Sequence, residues 1–330
     1  MKFVRRAVTL LALLGLSTVA QAQFPAKPVT IVVPFTAGGP TDTVARSLAA
    51  AMGKNLNQSV VVENVGGAGG TIGAARVKNA ASDGYTLLLH HIGMSTAPTL
   101  YRKLPYNPMT DFEMIGLVVE VPMTMIARSD FPPKTVGEFI AYVKANKGKL
   151  NYGNAGVGAA SHLCGLLFMS AIETDLTTVP FKGTADVMNA LLAKTIDFSC
   201  DQTTNTTGQI QANLADPTKG VKAYAVTTKR RLATLPNVPT LQEAGLKDFE
   251  VTVWHGLYAP KATPRAFVDR LVVALQAAGK DPDFVRRMGD LGGTVYSPNP
   301  YMTPDGLAAL LKFEIEKWGP IIKKAGQYAD

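Results

Sequence analysis

The sequence predicts an α/β fold in two lobes, and three observations carry that prediction. Runs typical of buried strands alternate with helices that show one apolar stripe. The series starts a second time near residue 150. Two long apolar segments bracket the second series, as a chain crossing between lobes and returning would require.

In the first series, Val29 to Phe35 is nearly all apolar, the pattern of a strand covered on both faces. Thr41 to Leu56 then places Val44, Leu48, Met52 and Leu56 four residues apart, giving a helix with one buried stripe. Val60 to Val65 and Tyr85 to His90 are the next strands, with a helix over Thr71 to Asn79 between them. Such alternation predicts parallel strands joined by right-handed crossovers. In the second series, Leu150 to Asn154, Leu176 to Pro180, Ile196 to Cys200 and Lys222 to Thr227 read as strands, while Ser161 to Ile172 and Ala185 to Ala193 read as helices. Gly116 to Arg128 and Val251 to Pro260 are the crossing segments of a two-strand hinge. The expected division is residues 23–123 with 251–330 in domain 1, and residues 124–250 in domain 2.

The C-terminal part is helical. Thr263-Pro264 and Thr303-Pro304 each set a capping hydroxyl before a proline suited to the first helical position. Leu307, Leu311, Ile315, Trp318 and Ile322 form one stripe, although Gly319-Pro320 is expected to kink or break that helix.

Residues 1–22 read as a cleavable signal peptide. Lys2, Arg5 and Arg6 precede a short apolar run, and Ala20-Gln21-Ala22 supplies the small residues at the cleavage site. The apolar run falls short of the ~20 residues that span a bilayer. Removing three basic residues lowers the formal charge from +8 to +5, a mild field that attracts anions. Lysines and arginines are scattered, which argues against nucleic acid as a partner. Cys164 and Cys200 would sit in an oxidising compartment, so a disulfide and a pair of buried thiols are both open readings. No spacing suits a metal, and no cofactor is implied.

The functional signal lies in two glycine-bearing turns from strand to helix. In Phe35-Thr36-Ala37-Gly38-Gly39-Pro40-Thr41-Asp42 the glycines let the backbone turn tightly, and Thr41 or Asp42 can cap the helix. Helix N-termini expose unpaired N–H groups with partial positive charge, so a carboxylate can bind there without a lysine. Asn154-Ala155-Gly156-Val157-Gly158-Ala159-Ala160-Ser161-His162 repeats the arrangement in the second series. One such turn is as consistent with a plain capped helix as with a site. Two of them on facing lobes would make a pincer for an anion.

These turns stand in a wider set of motifs. Lys27-Pro28-Val29-Thr30-Ile31-Val32-Val33-Pro34-Phe35, Val62-Glu63-Asn64 with Gly66-Gly67-Ala68-Gly69-Gly70, and Asp83-Gly84-Tyr85-Thr86-Leu87-Leu88 come first. Leu150-Asn151-Tyr152-Gly153, Ser161-His162-Leu163, Pro180-Phe181-Lys182-Gly183, Leu235-Pro236-Asn237-Val238-Pro239-Thr240 and Trp254 through Pro260 follow. In this order, and over nearly the whole chain, the set resembles the Bug-type periplasmic substrate-binding proteins of tripartite tricarboxylate transporters. The resemblance implies a periplasmic-binding-protein-like Venus flytrap of two doubly wound domains. It implies a small organic carboxylate as ligand, with a dicarboxylate favoured, aliphatic or aromatic such as terephthalate. Membrane permease subunits would be the partner, and the receptor a monomer in the periplasm.

Carried onto this sequence, the ligand would meet Phe35, Thr36, Ala37, Gly38, Gly39, Thr41 and Asp42 from one loop. Asn154, Ala155, Gly156, Gly158, Ser161 and His162 would come from the other, with Phe181, Lys182, Gly183 and Asp201 bordering the cleft. The chain departs from the common pattern at His90 to Thr96 and at His255. This adds His91, Ser95, Trp254 and His255 as candidates for the pocket floor and mouth. Imidazole and indole groups there would suit a flat aromatic acid; buried histidines serving only polar neighbours are the plainer reading.

Competing chemistries lack their residues. Counted from Gly67, Ile72 stands where the last glycine of a dinucleotide fingerprint belongs, so the Gly66 to Gly70 run reads as a structural turn. Ser161 and His162 are adjacent, which on a helix turns them about 100° apart. Ala97 replaces the last glycine of a GxSxG elbow begun at Gly93. Hydrolase activity is therefore disfavoured. A receptor presenting its ligand to a membrane sensor kinase would share this fold and stays open as the alternative.

Overall fold

The computed structural model describes residues 24–297 and 300–325. The signal peptide read over residues 1–22 lies outside them. Among the described residues, ten strands form the framework: β1 (Val29–Val33), β2 (Val60–Asn64), β3 (Thr86–His91), β4 (Phe112–Arg128), β5 (Asn151–Asn154), β6 (Thr177–Pro180), β7 (Phe198–Gln202), β8 (Val221–Val226), β9 (Thr252–Pro260) and β10 (Thr294–Val295). They follow the order β2-β1-β3-β9-β4-β7-β5-β6, with β8 and β10 also on β4.

The strands divide into two sheets that share only β4. Its first part pairs with β9 and β10 beside β1, β2 and β3; its last part pairs with β7 and β8 beside β5 and β6. The inner strands β1 and β3 are parallel, as alternation with helices requires, but β9 runs antiparallel to both β3 and β4. Each sheet is therefore mixed. The antiparallel pair is the physical consequence of a chain that leaves one lobe and returns to it.

The crossing itself differs from two long strands side by side. β9 stays within the first sheet, and the return is made just before it, at Val251. Thr227 ties the two crossings together: its N–H donates to Met123 O (3.0 Å), its hydroxyl to Val251 O (2.6 Å), and its own carbonyl accepts from Val251 N (3.1 Å). Thr227 is fully buried there.

Among the described residues, ten α-helices cover the sheets. In chain order they are α1 (Pro40–Leu56), α2 (Thr71–Lys78), α3 (Gly93–Leu100), α4 (Val136–Ala145), α5 (Ala160–Ala171), α6 (Thr184–Leu192), α7 (Thr203–Ala215), α8 (Arg265–Ala278), α9 (Pro282–Asp290) and α10 (Pro304–Ala325). The stripe Val44, Leu48, Met52 and Leu56 of α1 is buried against one face of the first sheet. Gly319-Pro320, expected to kink or break α10, does not break it, and the helix runs on to Ala325. Pro320 faces solvent while Trp318 and Ile322 are buried on either side, so the missing N–H falls where water can reach the freed carbonyl. Thr303 does cap α10 through Gly306 N (3.1 Å). Thr263 does not cap α8; its hydroxyl donates to Pro260 O (2.7 Å).

Cys164 of α5 and Cys200 of β7 are joined in a disulfide, with Cα atoms 6.2 Å apart. Both are fully buried in the core of the second lobe. A cross-link over 36 residues restricts the unfolded chain, which in the loop-entropy account stabilises the fold by about 4 kcal/mol.

Candidate functional site

Four strands that end at the cleft hand over to helices that begin beside it. β1 leads through Pro34 to Gly39 into α1, β5 through Ala155 to Ala159 into α5, β6 through Phe181 to Gly183 into α6, and β7 directly into α7. The four helix starts converge on one narrow gap, which in this closed arrangement has room for about one water molecule. Pro40 and Thr41 of α1, Ala160 and Ser161 of α5, Thr184 of α6 and Gln202 before α7 all line it. Phe35, His91, Ala155, Ala159 and Asp201 complete the wall.

No lysine or arginine is among these lining residues. Positive potential comes instead from the backbone. Pro40 has no N–H, and Thr43 N is the first in α1 to reach an acceptor one turn back, Gly39 O at 3.0 Å. The amides of Thr41 and Asp42 precede that first turn and have no intrahelical acceptor. In α5, Leu163 N is likewise the first to bond back, to Ala159 O (3.0 Å), which leaves the amides of Ala160 and Ser161 without an intrahelical acceptor. Each helix start carries roughly half a positive charge, so four around one gap give it a positive potential without a cationic side chain in its wall.

The predicted loop residues divide into those that face the gap and those that shape it. Asp42 shapes it. Its carboxylate accepts from Gly38 N (2.9 Å), Arg46 Nε (2.8 Å) and Asn64 Nδ2 (3.0 Å), which fixes the turn rather than capping α1. Burial pushes its pKa up, but these three donors together outweigh burial and hold it below the ordinary aspartate value. The Ser161 hydroxyl accepts from Ala155 N (2.9 Å), and Asn154 Oδ1 accepts from Gly156 N (2.9 Å), so the second loop is braced in the same way. His162 Nδ1 accepts from Gly158 N at 3.4 Å. Ala37 and Gly38 form the exposed rim.

Several predicted residues lock one lobe to the other. Thr36 Oγ1 donates to Asp186 Oδ2 (2.7 Å), and Gly39 lies against Ala185. A Cβ on Gly183 would stand 2.7 Å from Thr36 N. The Gly66 to Gly70 segment, read from sequence as a structural turn, has a part in this closure. Gly69 has φ +60°, and a Cβ there would fall 1.8 Å from Val157 O across the cleft. Tyr101 Oη lies 2.7 Å from Ala68 O and 2.6 Å from Val157 O, and Thr96 Oγ1 donates to Gly158 O (2.8 Å). The cleft is closed, backbone against backbone.

The histidines have distinct roles. His91 Nδ1 accepts from Gly93 N (2.9 Å), and its ring stacks on Phe35 with centroids 4.6 Å apart. Burial, then the neighbouring His90 and His255, hold His91 well below the ordinary pKa, so the ring is neutral. With Nδ1 accepting, the proton resides on Nε2. His255 is neutral as well, its pKa lowered to about 3 by burial, and its Nε2 lies 3.4 Å from Thr41 Oγ1 behind the wall.

Other candidates sit apart from the gap. The Trp254 indole donates to Glu314 Oε2 (3.4 Å) against α10. Ser95 Oγ donates to Ile92 O (2.7 Å) inside α3, Lys182 is exposed, and Phe181 N donates to Asn154 O (2.8 Å). Sequence reasoning missed Thr184 and Gln202, since neither follows a glycine pair. A larger cleft lies between α5 and the end of α10, lined by Leu163, Leu167, Ile321 and Ile322 among others. It gathers no helix starts, so the chemistry of anion binding favours the smaller gap. Among the described residues no group of side chains could hold a metal, and no helix is long and apolar enough to cross a membrane.

Comparison with known proteins places this geometry in a family. Residues 44–327 match the sequence profile of TctC, the tripartite tricarboxylate transporter family receptor. The chain is 50% identical, over 94% of its own length and 88% of the relative's, to the UPF0065 protein in the TAR-I ttuE-ttuC' intergenic region of Agrobacterium vitis. It superposes on the periplasmic binding protein BugD with a TM-score of 0.89 and 53% identity, covering 93% of this chain and 100% of that one. It also superposes on MatC from Rhodopseudomonas palustris, solved with bound malate, with a TM-score of 0.85 and 41% identity over 91% of this chain and 100% of that one. The chain therefore belongs to the tripartite tricarboxylate transporter receptor family.

Proposed function

We propose that this protein is an extracytoplasmic solute receptor, exported by its signal peptide, that closes two lobes over a small organic dicarboxylate. Residues 23–123 with 251–330 form one lobe, residues 124–250 the other, and the receptor delivers its ligand as a monomer to membrane permease subunits of a tripartite tricarboxylate transporter. No reaction is carried out on the ligand.

One observation carries this reading: four helix N-termini from both lobes meet at a gap with no cationic side chain in its wall. A dicarboxylate offers one acid group to each side, and its bridging contacts exist only in the closed form, which shifts the population of lobes toward closure. The malate bound to MatC supports a ligand of this class. His91 stacked on Phe35 adds a flat wall that an aromatic diacid would also fit.

A thermal-shift screen of aliphatic and aromatic mono- and dicarboxylates tests the proposal. At ~100 times its dissociation constant a cognate diacid adds ~2.7 kcal/mol of stability, and a monocarboxylate of the same skeleton adds much less. Stabilisation by neutral or cationic solutes, with none from any diacid, would refute it.

A further inference from the structure

The motif Leu235-Pro236-Asn237-Val238-Pro239-Thr240 has no part in the gap between the lobes; it lies at the edge of the second sheet. There β8 pairs with β4 on one side. On the other side the motif adds a single rung of parallel pairing opposite Thr240. Val226 N donates to Pro239 O (2.8 Å), and Val226 O accepts from Leu241 N (3.1 Å). Among the described residues nothing else pairs with that edge, so residues 221–225 have no strand beside them. An open sheet edge is a template for a further strand.

A groove follows this open stretch. It is lined by residues 222–224 of β8, by the start of α4, by Ile210 and Leu214 of α7, and by the motif itself. Its two banks differ in chemistry. On the α7 side Leu214 is 69% exposed, more than any other large apolar side chain among the described residues. On the α4 side stand Lys134 and Lys222, the latter held by the carbonyls of Phe131 and Pro133 just before the helix. No aspartate or glutamate lines the groove, and Glu138, one turn along α4, has its carboxylate on Lys134 N (2.8 Å). Successive side chains of a strand point to opposite faces. A strand laid along β8 therefore offers one set of side chains to the lysines and the other to Leu214 and Ile210. A second copy of this chain would bring the same two lysines and be repelled.

We infer that this edge groove is the docking surface for the membrane permease, which contributes an extended segment of alternating acidic and apolar residues as an added strand. The inference rests on the proposed receptor function and names the place and chemistry of its partner. Main-chain hydrogen bonds to β8 would extend the pairing begun at Thr240, and the alternate side chains supply specificity. The groove shares no residue with the ligand gap, so docking and ligand binding are separable by mutation.

Surface plasmon resonance tests the inference, with the receptor loaded with the tightest-binding diacid of the thermal-shift screen and the detergent-solubilised permease subunits as partner. Leu214→Asp and Lys134→Glu are each expected to weaken permease binding at least ~10-fold, the scale of a well-packed anchor or a reversed charge. Lys134→Glu should act chiefly through slower association. Neither variant should change the thermal shift given by the diacid. In the complex, hydrogen exchange should slow at residues 221–225, a sign of strand addition that a loose contact would not give. Wild-type permease affinity in both variants, no permease binding by the wild-type receptor, or protection confined to the cleft between α5 and α10 would overturn the inference while diacid binding stands. Self-association of the free receptor that is lost in Leu214→Asp would show that the edge pairs two copies, and would overturn it too. A wild-type protein that no diacid stabilises refutes the receptor function itself.

Discussion

Gly69→Ala is expected to abolish ligand binding while both lobes stay folded. The methyl group would meet Val157 O at 1.8 Å, and φ of +60° is a backbone conformation in which only glycine is unstrained. Val157 belongs to the opposite lobe, so opening the cleft relieves the clash. Affinity should fall at least ~100-fold, because several kcal/mol against the closed form moves a two-state population by that much or more. Gly39→Leu separates strain from closure. Gly39 has φ −80°, which any residue adopts, yet its Cβ would point at Ala185 of the opposite lobe, 3.6 Å from the amide nitrogen. This variant should keep the unliganded melting temperature and circular dichroism of the wild type and still lose binding by calorimetry. Unchanged affinity in both variants would mean that the closed arrangement is not the bound one.

The two buried aspartates are expected to give pH signatures of opposite sign. Asp42 has its pKa lowered in the fold, so its contribution is present above the unfolded value near 4 and is lost as pH falls through the folded value. Asp42→Ala leaves Gly38 N–H and the Asn64 amide without their acceptor. It should cost about 3 kcal/mol at neutral pH, a cost that shrinks as pH falls below ~4. Asp201 behaves in the reverse way. Its folded pKa of about 6 lies above the unfolded value, so its burial cost is absent below ~4 and complete above the folded value. Asp201→Asn should therefore gain stability as pH rises from 4 to 7, by up to roughly 3 kcal/mol. Urea denaturation of both variants between pH 3 and 8 reads the two curves. Curves of the same sign would contradict the assigned environments.

Much of the fold was legible because local pattern and burial agree. The runs Val29 to Phe35 and Val251 to Pro260 became strands, and the fourfold stripe of α1 packs as its spacing requires. The helix α7 was not legible, since TTNTTGQIQANLA is rich in residues that favour caps and turns over helix interiors. It forms because Thr203, Thr206, Thr207 and Ile210 are buried against the second sheet and the first lobe, a tertiary effect that no short window carries. Helix α3, with Pro98 inside it, escaped detection as well.

The site shows the same division. Turn glycines announce where a strand becomes a helix, and both predicted loops contribute to the gap's wall. Sequence does not announce which of their residues face inward. Asp42, the most conspicuous charge, is spent on Gly38, Arg46 and Asn64, while Thr184 and Gln202 arrive from elements with no motif. Nor could the Gly66 to Gly70 run reveal its role, because the atom that requires glycine at Gly69 belongs to Val157, 88 positions away and in the other lobe.

The most direct test is a crystal structure of the protein with its tightest-binding diacid. The expected complex has one carboxylate within hydrogen-bonding distance of the Thr41 or Asp42 amide and the other against the first turn of α5, with Gly69 still packed on Val157. A diacid seated instead in the cleft between α5 and α10, or held by one lobe with the other swung away, would contradict the account.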